Sequence, residues 1–362
     1  MSYEEKYESL MMKSWGAPVE ARLVFLEQAA KLADAHNNIR DGFRARKNMF
    51  SNELSGYPDK VAAIYSWCLS QCDANPEEFD DDEILFAYSW AIENLLQLTS
   101  TSAAHIEALT VDFENRTRKH QNSMADVYSL RMYNAIAMHQ PQQVTKFYKL
   151  WREIEDQSYG CSGCLQQVHL AYFEFQKKYC QAFVRAEKVF DGSDYIWGCD
   201  NVMRWVTSSM LLPLLLLGKD NHAREYQRRG YDIIAGKRAF LSETAHHLLY
   251  FTTCNLLDDA QKIIRKHLPM AFATRSDHDK FYFYLATALF LEKTQSKDIS
   301  LPMEKSFPLY TEKQIYSVRA VQEYLETQVK DLAARFDERN GNDHYAQTVA
   351  SYRDNILGTI TV

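Results

Sequence analysis

Glycine and proline are scarce in this chain, at 12 and 8 among 362 residues, where average usage gives roughly 25 and roughly 18. Turns are therefore few and short. A β-sandwich or barrel needs many turns, so the shortage points to helices. No segment of any length alternates apolar and polar residues at period two, and no strand is expected. Long hydrophobic runs are missing as well. The longest, residues 210–217, contains Pro213 and falls far short of the roughly 20 residues that span a bilayer. There is no basic excess either. A formal charge of −7 and a pI near 5.9 disfavour direct nucleic-acid binding by the whole chain, because affinity for phosphates needs a net basic surface. The opening MSYEEKYESL is acidic and amphipathic, with no basic or apolar stretch of a secretory leader. Seven cysteines in such a chain lead us to expect a cytoplasmic, reducing setting, with thiols or a metal site rather than disulfides.

What is present fits an all-helical protein. Hydrophobic residues make up 46% and charged residues 25%, which is neither a disordered nor a membrane composition. Apolar residues recur at helical spacing, as with Leu23, Leu26, Ala29, Ala30 and Leu32 on one face. The 22 tyrosines and 19 phenylalanines suit helix-pair repeats, where aromatic rings set the spacing between neighbours. Four stretches share one pattern: an apolar helix ends, a short polar turn follows, and a small apolar residue restarts the next helix five positions on. The turns begin at His139, Lys177, Gly218 and Asn255, and the restarts are Val144, Ala182, Ala223 and Ala260. Gly218 and Asn255 suit the left-handed position that closes a helix. Successive restarts lie 38, 41 and 37 residues apart, slightly longer than the roughly 34 of a tetratricopeptide repeat. Degenerate pairs are expected over about residues 1–140, clearer repeats over about 141–295, a loop over 296–310, and capping helices over about 310–362, with a long helix at 312–339. Because such an array is continuous, we draw one domain over 1–362.

Several motifs resemble a group of bacterial tetratricopeptide-repeat proteins. They are Gly160-Cys161-Ser162-Gly163-Cys164, Gly198-Cys199, the Leu211–Lys219 segment LLPLLLLGK, Arg228-Arg229-Gly230-Tyr231, Leu268-Pro269 and Ala334-Arg335-Phe336-Asp337-Glu338-Arg339-Asn340-Gly341. The resemblance implies a right-handed α-solenoid of stacked helix-turn-helix pairs and a bacterial cytoplasmic setting, but no reaction. Lys177 departs from the pattern, which has glycine at that turn.

Few constellations could carry chemistry. Cys161 and Cys164 form a C-x-x-C turn that could present two thiolates to a tetrahedral zinc. Cys199 is the expected third ligand, and Cys180, His169 or Asp200 could be the fourth. The alternative is a plain thiol pair. Cys68 and Cys72 share a helix face and are expected in the core. His246 and His247 point about 100° apart and cannot chelate one ion; one is expected packed and the other solvated. The run Asp80-Asp81-Asp82-Glu83 reads as the acidic start of a helix. Two basic groups stand out: Arg40, Arg44, Arg46 and Lys47, and the trio Arg224, Arg228 and Arg229. The trio is the candidate clamp for carboxylates of an unidentified protein or peptide partner, against the reading of a partly neutralised surface. None of the Walker, Rossmann, nucleophile-elbow or H-E-x-x-H motifs occurs. The expectation is a non-catalytic binding scaffold without an assigned cofactor beyond a structural zinc. The alternative is a regulatory sensor that responds to a bound peptide or metal.

Overall fold

A computed structural model describes residues 1–50, 56–158, 160–190 and 200–357, the side chains at 19, 20, 200, 201, 355 and 357 excepted. Those residues are overwhelmingly helical. In chain order the helices are α1 (Tyr3–Ser14), α2 (Val19–Ala35), α3 (Ile39–Lys47), α4 (Pro58–Ala74), α5 (Asp82–Leu96), α6 (Ala103–Lys119), α7 (Ala125–Ala137), α8 (Pro141–Arg152) and α9 (Ser162–Phe175). They continue with α10 (Tyr179–Phe190), α11 (Asp200–Ser209), α12 (Leu211–Leu216), α13 (Asp220–Ile234), α14 (Leu241–Thr253), α15 (Leu257–Ala273), α16 (Asp277–Lys293), α17 (Val318–Asn340) and α18 (His344–Leu357). Most helices pack on their sequence neighbours, and α5 also meets α7, α11 meets α14, and α14 meets α16.

The repeating turns have one physical basis. His139, Lys177, Gly218 and Asn255 all adopt positive φ, between 52° and 66°. In each, the next residue's N–H reaches back five positions, to Ala135, Phe173, Leu214 and Phe251 carbonyls at 2.8–2.9 Å. This is the Schellman closure, which satisfies orphan carbonyls at a helix end. Lys177 makes the same bonds at φ 54°, so the absent glycine does not loosen its turn. The restarts Val144, Ala182, Ala223 and Ala260 are all fully buried, as close packing of the second helix on the first requires. Two further turns, at Asn37 and Gln121, share the geometry although the spacing argument missed them. Aromatic stacks join pairs of helices: Tyr65 (α4) on Tyr88 (α5), Tyr148 (α8) on Tyr172 (α9) and Phe190 (α10) on Tyr226 (α13), with ring centroids 4.5, 3.7 and 4.2 Å apart.

Two local expectations need correction. Residues 298–300 and 315–317 form a two-stranded antiparallel ribbon with Ile299 opposite Tyr316. It was missed because three-residue strands are too short to show a period. The final long helix starts at Val318, capped by Ser317, because the ribbon claims the residues before it. The apolar run 210–217 forms the short α12 (Leu211–Leu216), with Leu211, Pro213 and Leu214 buried.

The C-terminal helices fold back onto the first half. Arg339 donates to the Leu96 and Leu98 carbonyls at 2.8 and 3.1 Å. Asn342 donates to the Met138 carbonyl at 2.8 Å, and His344 stacks on His139 at 3.9 Å. The Gln97 carbonyl accepts from His278 N–H at 3.1 Å, and Asp277 accepts from Thr99 N–H and hydroxyl at 2.9 and 2.6 Å. These contacts clasp α16–α18 to the ends of α5 and α7.

Two substitutions test this account. At Gly218 an added Cβ meets nothing within 4 Å, so Gly218→Ala isolates the left-handed backbone and is expected to lower stability by about 1 kcal/mol. Gly230 sits in α13 where a Cβ would lie 2.7 Å from Thr207 Cβ and 3.1 Å from His247 Cε1. Gly230→Ala is expected to cost more, about 1–3 kcal/mol, by overpacking three helices. Urea midpoints at constant m-value check both, and an equal loss in the two variants would contradict the packing argument.

Candidate functional site

The charged surface features largely neutralise themselves. Arg40 pairs with Glu78 at 3.1 Å, Arg44 with Glu8 at 2.7 Å, Arg46 with Asp34 at 2.7 Å, and Lys47 with Glu83. Arg46 also lies over the Trp67 ring, 3.9 Å from its centroid. Arg224, Arg228 and Arg229 are exposed along α13. Arg229 pairs with Glu225 at 3.3 Å and covers the Phe190 ring, and Arg224 stands beside Tyr250. Arg228 has no ion-pair partner among the described residues.

The cysteine turn closes locally. Cys161 is the N-cap of α9, its sulfur accepting from Cys164 N–H at 3.3 Å. The two sulfurs lie 3.2 Å apart. No third ligand atom joins them among the described residues. Cys199 lies outside those residues, as does the Asp200 side chain. His169 is engaged elsewhere: its Nδ1 bonds the Tyr148 hydroxyl at 2.8 Å and its Nε2 lies 3.2 Å from Glu155. Burial, followed by Arg185, lowers its pKa to about 3 and keeps it neutral. Cys180 is exposed on α10. Cys68 and Cys72 are buried, and burial raises the Cys68 thiol to about 12; they are inert core residues.

The acidic run does more than start a helix. Asp81, only 5% exposed, accepts from Arg116 at 2.7 Å, Lys119 at 3.1 Å and His120 at 2.5 Å. Arg116 also holds Asp73 and Asp112, both at 2.8 Å, and Tyr88 donates to Asp112 at 2.8 Å. Burial alone would raise the Asp81 pKa, but bonds from Arg116, His120 and Lys119 outweigh it and hold the carboxylate at about 2. Asp80, Asp81 and His120 could in geometry hold an ion. Arg116, Lys119 and His120 already satisfy Asp81, so we assign the cluster to structure.

Unsatisfied polar atoms also lie among half-buried residues between the helices. Several helices each contribute a polar or aromatic residue to one recess: Glu93 (α5), Tyr133 (α7), Glu174 (α9), Ser209 (α11), His246 (α14), Tyr282 (α16) and Tyr352 (α18). Each keeps some accessible surface, yet burial dominates the titration of every ionisable one. We read half-buried side chains whose titration is dominated by burial as lining a recess between the helices. The residues form a connected set. Glu93 and Glu174 both act on the Tyr133 phenol, and Tyr282, Tyr179 and Glu174 act on Tyr352. Tyr282 lies 4.7 Å from the His278 ring and 6.4 Å from His246.

Burial pushes Glu93 up to about 7 and Glu174 up to about 8. Ser209 stands close enough to draw the Glu174 value back, but neither Glu174 Oε1 nor Ser209 Oγ has a partner in hydrogen-bond geometry. His246 Nδ1 is likewise buried and unpartnered, and burial lowers that imidazole to about 4. The expectation for the histidine pair is therefore half met: His247 is fully buried and bonded to Ser208 at 3.1 Å, while His246 faces the recess rather than bulk solvent. Buried polar groups are ordinarily satisfied, so orphans converging on one hollow mark it as the candidate binding site. Sequence reasoning passed over Glu93 and Glu174. The available signal was a lone acid between apolar neighbours, Ile92-Glu93 and Phe173-Glu174-Phe175. No known family, curated protein or solved structure matches this chain.

Two predictions follow from opposite pKa shifts. Arg116→Met leaves Asp81 buried without its main partner, and unfolding should cost about 3–5 kcal/mol less than in the unaltered chain. For the recess, native Glu93 and Glu174 retain protons that the unfolded chain, with carboxyls near 4.3, has released. Stability contributed by the protonated forms is therefore present at about pH 4–5 and lost as pH rises through 7 to 8, at up to about 1.4 kcal/mol per pH unit for each group. Urea titrations from pH 5 to 8 should show this fall, and Glu174→Gln should flatten it. A slope identical in the variant would mean that Glu174 is ionised throughout.

Proposed function

We propose that this chain is a non-catalytic binding protein, a right-handed α-solenoid of tetratricopeptide-like pairs that takes an extended peptide in the recess along its first helices. The observation that carries the reading is the set of orphaned atoms in that recess: Glu174 Oε1, Ser209 Oγ and His246 Nδ1. A bound peptide offers amide donors and acceptors at regular spacing, the chemistry such atoms lack. The recurrent left-handed turns at 139, 177, 218 and 255 support the repeat assignment. The outer arginine trio serves less well, since Arg229 is already paired and its neighbours face open solvent.

The clasp gives weight to the sensor alternative. Glu93 and Tyr133 lie within one or two turns of the helix ends that Arg339 and Asn342 hold. A guest pressing on those helices would act directly on the clasp, so binding and closure would share free energy.

Peptide display on the intact chain tests the assignment. Peptides selected on the unaltered protein should bind at least tenfold more weakly to Ser209→Trp, which fills the recess. They should bind equally well to Arg228→Glu, which alters the outer patch. Equal binding to Ser209→Trp would remove the recess from consideration, and loss in Arg228→Glu alone would move the site to α13.

A further inference from the structure

We propose that the recess recognises an alkylammonium group, carried by a free polyamine or by a lysine side chain of a bound peptide, held between Glu93 and Glu174. The inference rests on the reading of the recess as a binding site and adds the chemistry of its guest.

The first argument is charge. Glu93 and Glu174 take part in no ion pair among the described residues, in a molecule where most recessed acids are paired. Around Glu93 the only titratable neighbour that registers is Tyr133 from α7. Around Glu174 they are Tyr133 (α7), Tyr179 (α10) and Tyr352 (α18), with Ser209 (α11). None is cationic. Basic groups that register nearby act on other residues, Lys177 on His139, Arg339 on Tyr345 and His278 on His246. A guest cation would supply the missing countercharge.

The second argument is the walls. Tyr133 registers on both carboxyls, Tyr179 and Tyr352 on Glu174, and Tyr282 on Tyr352, and phenol rings attract ammonium groups most strongly where water is excluded. The third is geometry. A metal ion would need three ligand atoms close together, and the sole such group among the described residues is Asp80, Asp81 and His120, on another part of the molecule. Two carboxyls strung along tyrosines suit an elongated organic cation instead. The fourth is the orphaned Glu174 Oε1 and Ser209 Oγ, acceptors that an ammonium with three donors can satisfy.

Binding has a definite proton balance. Ammonium capture favours the ionised carboxyl, so Glu174 releases a proton to solvent as the N–H···O bond forms. Affinity therefore rises with pH until the amine itself loses its proton. A guest bound through carbonyl or carboxylate acceptors would need the protonated acid, and its affinity would fall with pH.

Calorimetric titration of the full chain with spermidine, and separately with the peptides acetyl-Ala-Ala-Lys-Ala-Ala-amide and its norleucine counterpart, distinguishes the sources. At least one amine probe should bind at least tenfold more tightly at pH 8.5 than at pH 6. Comparison of two buffers of different ionisation enthalpy should reveal release of about one proton near pH 7. Glu174→Gln, close to isosteric, should diminish both effects, leaving the part due to Glu93, and the double variant Glu93→Gln with Glu174→Gln should abolish them. Spermidine alone binding assigns a free amine; the lysine peptide alone binding assigns a side chain. Equal binding of lysine and norleucine peptides, affinity that falls with pH, or no binding of either amine overturns the inference. If displayed peptides then still depend on Ser209, the recess remains the site and only the ammonium is wrong; if they do not, both readings fail together.

Discussion

The carbonyl groups at the end of a helix have no partner within it, and the architecture turns on how two such ends are satisfied. The last turns of α5 and α7 present carbonyls at Leu96, Leu98, Ala137 and Met138. Arg339, Asn340 and Asn342 supply the donors, from more than 200 positions away in sequence. Buried backbone acceptors are costly to leave unmade, so these few side chains decide that the C-terminal helices sit against the first half. Arg339 is desolvated in doing so, and burial lowers its pKa. A cation remains in place there because the carbonyls it meets are the negative ends of helices.

That closure creates the hollow. Helices α5, α7, α9, α11 and α14 line it on one side, and α16 and α18 complete it. Charges on the outside find partners within reach, as at Arg40, Arg44 and Arg46. Two of the recessed acids do not: Glu93 and Glu174 register only phenols and a serine hydroxyl as polar neighbours, unlike Asp81 and Glu243, which are paired. The contrast has a simple physical source. Exposed chains can swing toward an opposite charge, whereas a half-buried residue packed between helices is held by its neighbours.

The repeat was legible because a Schellman turn is local. Six consecutive residues determine it, so Gly218 and Asn255 could be read directly, and the buried restarts at Val144, Ala182, Ala223 and Ala260 confirmed the register. Lys177 looked anomalous only because glycine preference is a tendency of about 1 kcal/mol, which burial of the adjoining helices outweighs. The clasp was illegible for the opposite reason. Arginine to carbonyl contacts across the whole chain leave no periodic trace. The recess was hidden by ambiguity: a glutamate between apolar residues can face water or an internal hollow, and only the third dimension decides. The cysteine turn drew attention by its spacing, yet Cys161 serves visibly as a helix cap.

The span between Arg339 and Leu96 also orders events in time. Joining points 243 residues apart costs on the order of 5 kcal/mol in chain entropy, whereas each helix pair closes over a few residues. Local pairs therefore form early and the long-range junction late. On the ribosome the N-terminal half emerges first, with the ends of α5 and α7 facing water and the hollow open along one side. A ligand present during synthesis would meet its site as an open trough, and the tail of the chain would then seal it in.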